Sequence, residues 1–128
     1  MEGELELMDD KKAILVEKIK NVIVEMVHYA DELPRTKYSY YLSEKLGLDY
    51  TYVANMFSRV KGISIQQFII NHKVEKVKEL LSYGELSLLE ISYKLHYSSL
   101  AHLSSQFKKV TGLSPSFFRD NGRRKELC

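Results

Sequence analysis

An all-α fold of about seven helices, built as two helix-turn-helix subdomains joined by a long connecting helix, is predicted by three observations. The chain repeats itself about fifty residues on: Phe57, Val60, Gly62, Ser64 and Phe68 fall on Phe107, Val110, Gly112, Ser114 and Phe118. Such a repeat is the first thing to read in a sequence. Each copy has the same grammar, an apolar anchor in a helix, a glycine suited to a left-handed cap, then a serine to cap the next helix. Upstream, Leu46 to Asp49 matches Leu95 to Ser98 at an offset one shorter, which supplies the first helix and the turn of each unit.

The elements follow in order. Met1 to Met8 alternates Glu4, Leu5, Glu6 and Leu7 and reads as a frayed tail. Asp9 and Asp10 are placed to cap a first helix, whose apolar stripe is Leu15, Ile19, Val22, Ile23, Met26 and Val27. Pro34 ends that segment and holds Leu33 extended. Residues 36–64 form the first helix-turn-helix, with Tyr38 to Leu46 as its first helix and Tyr41, Leu42 and Leu46 inward. Ser43 supplies a small side chain at the helix crossing, Gly47 the left-handed cap and Asp49 the next N-cap. In the second helix Val53, Met56, Phe57 and Val60 are expected inward, and Thr51, Tyr52, Asn55, Ser58 and Arg59 outward.

Residues 65–83 form the connecting helix, opened by a capping box of Ser64 with Gln67 and carrying Ile70, Val74, Val77 and Leu81 at helical spacing beside Phe68 and Leu80. At 1.5 Å per residue the stretch from Ile65 to about Ser82 spans about 27 Å, against roughly 34–36 Å between half-sites one DNA turn apart. Residues 84–119 hold the second helix-turn-helix and a short closing helix from Ser114 to Arg119. Ser87 and Glu90 make a capping box, Leu88, Leu89, Ile91 and Leu95 an apolar side, and Ser98 or Ser99 opens the last motif helix. There Leu103, Phe107 and Val110 are expected inward and Ala101, His102, Ser105, Lys108 and Lys109 outward. Residues 120–128 read as a basic, mobile tail.

Composition narrows the function. The only cysteine is Cys128, so no intrachain disulfide forms. No apolar run is long enough for a membrane span and no secretory signal opens the chain, so a cytoplasmic protein without a membrane partner is expected. Net charge is only +2, but it is unevenly spread. Residues 1–58 carry 7 Lys and Arg against 11 Asp and Glu, whereas residues 59–128 carry 12 against 6. That asymmetry is the electrostatic footprint to look for in a nucleic-acid binder, although solvated helix faces would explain any single cluster about as often.

From about Tyr38 to Arg119 the sequence resembles the DNA-binding domain of the AraC/XylS family of bacterial transcription regulators. The residues that carry the likeness run from Leu86 to Ser98 and from Phe107 to Arg119, where a phenylalanine, a glycine five residues beyond it and the Ser114-Pro115 pair close the pattern. The resemblance implies a homeodomain-like pair of helix-turn-helix units that place two recognition helices in successive major grooves of double-stranded DNA. It makes Thr51 and Asn55 base-facing in the first helix and Ala101, His102 and Ser105 in the second. Tyr52, Arg59, Lys61, Lys108 and Lys109 are then phosphate-backbone residues.

The chain departs from the family in places. His96 and Tyr97 stand where Gly-Phe is usual, Ser43, Ser92 and Val77 where alanine is usual, and Lys73 where arginine is frequent. Leu100, Ala101, His102 and Ser105 are short of long hydrogen-bonding side chains, which implies looser base readout by the second motif. Many members also carry a sensory or dimerisation domain and contact RNA polymerase. Residues 1–35 hold one helix, so the chain is either a stand-alone regulator or a fragment whose Glu4 to Leu7 leads out of a missing N-terminal domain; the fragment is the reading preferred.

Two other function classes compete. Catalysis finds no support: there is no glycine-rich phosphate loop, and His28, His72, His96 and His102 lack metal-ligand spacing, so no enzyme, cofactor or metal is expected. A helical protein-interaction module that has kept the fold but not strong DNA binding is the stronger competitor, because Tyr38, Tyr40, Tyr50 and Tyr52 suit protein contacts as well as phosphates.

Overall fold

The computed structural model describes residues 2–30 and 36–127, and the side-chain surroundings of residues 10–30 and 36–121. Among them are seven α-helices and no strand: α1 Glu2–Val24, α2 Tyr38–Leu46, α3 Tyr50–Lys61, α4 Ile65–Tyr83, α5 Leu88–Lys94, α6 Leu100–Thr111 and α7 Pro115–Leu127. A π-helical turn, Glu25–Tyr29, extends α1, its last bond running from Ala30 N–H to Glu25 O at 2.9 Å. The fold is the all-α class that the repeat predicts.

The described residues fall into two compact units, with the division inside α4 between Ile69 and Ile70. In the first, α1 packs on α2 and α3. Its core is formed by Ile19 and Ile23 of α1, Leu42 of α2, Val53 and Phe57 of α3, and Ile65 and Ile69 of α4, all shielded from solvent. Phe57 meets Phe68 edge-on, ring centroids 5.2 Å apart. In the second, α6 packs on α5 and α7, and Val74, Val77, Leu81, Ile91, Leu103 and Phe107 are buried. Phe107 meets Phe118 in the same edge-on way at 5.7 Å.

The caps explain where the helices begin and end. Asp49 Oδ2 accepts from the Thr51 and Tyr52 N–H groups at 3.1 and 3.4 Å, and Ser99 Oγ accepts from His102 N–H at 3.0 Å. Ser87 and Glu90 form the reciprocal capping box, at 3.0 and 3.1 Å. The bond from Ser87 N–H, with help from the Ser87 side chain, holds the Glu90 carboxyl below its ordinary pKa. Ser64 Oγ accepts from Gln67 N–H at 3.0 Å. At the α2–α3 turn Gly47 takes φ +67°, and Ser43 Oγ donates to Leu48 O at 2.6 Å. A methyl group on Gly47 would meet nothing within 4 Å, so the glycine is there for its backbone angle and not for space.

Several expectations are corrected. Asp9 and Asp10 lie inside α1 and do not cap it, because the helix begins at Glu2; Glu and Leu are good helix formers, and their propensity outweighs the short alternation. The closing helix runs on to Leu127 and does not stop at Arg119. Asn121 Nδ2 donates to Phe117 O at 2.8 Å across that extension, and the following Arg, Lys and Glu residues are again good helix formers. Val60 and Val110, expected inward, are 47% and 38% exposed. Each lies in the last turn of its helix, past the last buried residue of the stripe. Leu89 is exposed, and Val16 is buried in α1 where Leu15 and Val22 sit at the margin. Pro34 and Cys128 lie outside the described residues.

Candidate nucleic-acid interface

Two helices carry the site. α3 and α6 are 12 residues each and share one pattern of burial. Val53 and Phe57 in one, Leu103 and Phe107 in the other, face the core. The opposite face of α3 exposes Thr51, Tyr52, Asn55, Ser58 and Arg59; that of α6 exposes Ala101, His102, Ser105, Lys108 and Lys109. All five proposed base-facing residues are therefore exposed, on one helix or the other. Arg59 and Lys61 occupy the last turn of α3, Lys108 and Lys109 that of α6. Cations there also complement the negative end of each helix dipole.

The surroundings of the two faces differ. In the first unit Tyr52 and Met56 line a groove with Lys11, Lys12 and Leu15 of α1. In the second, the positions fifty residues on are His102 and Gln106, and both rest on Tyr97. Its hydroxyl donates to Gln106 Oε1 at 2.8 Å, and its ring stands edge-on to the His102 imidazole, centroids 5.2 Å apart. His102 Nδ1 and Ser98 Oγ share a hydrogen bond at 3.1 Å.

Behind Tyr97 lies Lys73, only 8% exposed, with Nζ 4.0 Å from the ring centroid. Burial lowers the Lys73 pKa from 10.5 to about 8, and the π face of Tyr97 works the other way by favouring the charged form. Sequence reasoning noted Lys73 and Tyr97 only as departures from a pattern and passed over Gln106. The contacts that join them are set by tertiary packing, although Gln106, one turn beyond His102, was open to a search at helical spacing.

The turn that carries Tyr97 is also unusual. His96 has φ +57°, the only positive value at a non-glycine among the described residues, and it occupies the place of Gly47 in the first unit. Tyr97 N–H bonds back to Ser92 O at 2.9 Å, closing α5. This histidine therefore takes the left-handed conformation of the glycine usual there.

Among the described residues no group of three or more His, Cys, Asp or Glu side chains could hold a metal ion. No helix among the described residues is long and apolar enough to cross a membrane.

Comparison with known proteins places these features. A helix-turn-helix domain family matches residues 42–121. The Msm operon regulatory protein of Streptococcus mutans is 32% identical over 78 residues, 61% of this chain, and the chain spans only 28% of that protein. The C-terminal domain of AraT, a response regulator from Geobacillus stearothermophilus, superposes with a TM-score of 0.69 at 26% identity, covering 84% of each chain. The DNA-binding domain of AdpA, solved in complex with a target DNA, gives a TM-score of 0.70 at 19% identity over 86% of this chain and 94% of that one, a likeness of fold.

Proposed function

Because the chain belongs to the AraC-type helix-turn-helix family of DNA-binding transcription regulators, we propose that it reads two half-sites of one operator with the exposed faces of α3 and α6. The reading rests on one observation above all: two helices of equal length, equally anchored, each turn a polar face outward and end in a basic turn. Arg59, Lys61, Lys108, Lys109 and Tyr52 take backbone phosphates, which fix register without carrying sequence. Thr51, Asn55, Ala101, His102 and Ser105 face the bases. Asn55 is the strongest reader, since its amide pairs bidentately with adenine N6 and N7, worth about 1–3 kcal/mol of discrimination. Ala101 offers only a methyl contact to thymine, and Ser105 a single hydrogen bond.

The first half-site is therefore tightly specified around an adenine, and the second is looser. In a whole regulator a sensory or dimerisation domain accompanies this one, RNA polymerase is a further partner, and the protein works in the cytoplasm. Selection from a random duplex library tests the assignment. Asn55→Ala should erase the most constrained position, and Ser105→Ala should barely alter the consensus. If the tightest position answers to α6 instead, the roles of the two helices are reversed.

A further inference from the structure

Beneath the exposed face of α6, one tyrosine side chain makes three contacts at once. Tyr97 is 6% exposed. Its ring face receives Lys73 Nζ at 4.0 Å from the centroid. Its ring also meets the His102 imidazole edge-to-face, planes at 83°, and its hydroxyl holds Gln106 Oε1. His102 and Gln106 are four residues apart on a helix, so they share a face. Ser98 Oγ shares a hydrogen bond with Nδ1 of the imidazole. Nε2 is then the ring nitrogen left to address a base.

A single hydrogen bond from an exposed histidine discriminates poorly if the ring is free to turn, because ordering it consumes binding free energy. A ring already held on two sides avoids that loss. The ammonium of Lys73 strengthens the hold, since a cation on an aromatic face gains most where water is excluded. At the matching positions of the first unit Leu48 stands in the place of Tyr97, Tyr52 in that of His102 and Met56 in that of Gln106.

We propose that Tyr97, pinned by Lys73, is the positioning residue of the second recognition helix: it fixes His102 in the rotamer that presents Nε2 to the major groove, and so sets the base preference of the second half-site. This rests on the base-facing reading of His102 given above. It makes the second half-site one preorganised contact sharper than its short side chains alone imply.

Library selection with the unaltered protein, Tyr97→Leu, His102→Ala and the double variant tests it. His102→Ala should erase one position in the second half-site. Tyr97→Leu should weaken preference at that same position about two- to tenfold, the scale of an edge-to-face aromatic pair, and leave the positions read by α3 untouched. In the His102→Ala background Tyr97→Leu should add nothing there, because a residue acting through another shows no separate effect.

If His102→Ala erases a position that Tyr97→Leu does not change, the base-facing reading stands and the positioning role falls. If His102→Ala alters no position, both fall. Should Tyr97→Leu unfold the second unit, Tyr97→Phe keeps the ring and its contact with Lys73. Side-chain coupling constants of the DNA-free protein then read the histidine directly. A single His102 rotamer in the unaltered protein, retained in Tyr97→Phe, is expected; rotamer averaging in the unaltered protein overturns the proposal.

Discussion

The two helix-turn-helix units repeat their scaffolding and not their reading surfaces. Both bury an aliphatic residue and a phenylalanine one turn apart, Val53 with Phe57 and Leu103 with Phe107, and both seat that phenylalanine edge-on against another. Both recognition helices end at a glycine with positive φ, Gly62 and Gly112, and even the exposed valines, Val60 and Val110, correspond. Yet the N-cap is an aspartate in one and a serine in the other, the turn is a glycine in one and a histidine in the other, and the outward side chains have diverged. Packing constrains shape and volume on one face of a helix only. The other face is left to whatever it recognises.

The largest effect that sharpens this comparison lies in the anchors. Phe57→Ala and Phe107→Ala should each cost about 3–5 kcal/mol, and by nearly equal amounts, since both rings are fully shielded. Urea denaturation of the two variants is the check. A difference beyond about 2 kcal/mol would show that one cavity collapses where the other cannot.

A smaller effect breaks the symmetry. Lys73 is a buried cation of the second unit, and its folded pKa of about 8 lies below its ordinary value of 10.5. Below pH 8 both folded and unfolded chains hold the proton, so the full cost of burying the charge stands. Between pH 8 and 10.5 the unfolded chain binds more protons, so stability rises with pH. Lys73→Met should therefore stabilise the protein by about 1–2 kcal/mol at pH 7, the pKa shift converted at 1.36 kcal/mol per unit less the lost contact with Tyr97. That advantage should shrink as pH climbs towards 10. Thermal melts of both proteins across this range decide it; a constant difference would mean that the charge is not what the substitution removes.

The smallest effect concerns the turns. Gly47 and His96 hold the same left-handed conformation with different side chains. Gly47→Ala should cost about 1 kcal/mol, and His96→Gly should return up to about 1 kcal/mol, since strain is relieved while the unfolded chain gains freedom. Melting temperatures moving in opposite directions would support this. A loss in His96→Gly would mean that the contacts of His96 outweigh its backbone strain.

Much of this was legible in the sequence because it is written locally. The caps at Asp49, Ser87 and Ser99, the glycine turns and the buried pair in each recognition helix depend on residues within a turn or two of one another. The two misplaced helix ends, at Asp9 and Arg119, came from underrating local propensity; the rest of what was misread depends on distance along the chain. The inward expectation for Val60 and Val110 follows helical period correctly but ignores where the covering elements stop. The burial of Lys73 could not be read from a helix whose neighbours were unknown. Gln106 drew no notice because its partner, Tyr97, lies nine residues back across a turn. The exposure of Thr51, Asn55, Ala101, His102 and Ser105 was legible from period alone, and their roles at DNA come from the resemblance.

One feature of α4 bears on how the protein comes apart. Its first turns furnish Ile65 and Ile69 to one core and its remainder furnishes Val74, Val77 and Leu81 to the other, although it is a single helix from Ile65–Tyr83. Neither unit can be excised at a loop without losing part of its interior. Helix formation is cooperative along the segment, so melting of one core frays the helix towards the other and lowers the protection of its amides. Two structures that look separable on paper thus share a fuse: hydrogen exchange along α4 should rise smoothly through Ile69 and Ile70 when either phenylalanine anchor is cut away.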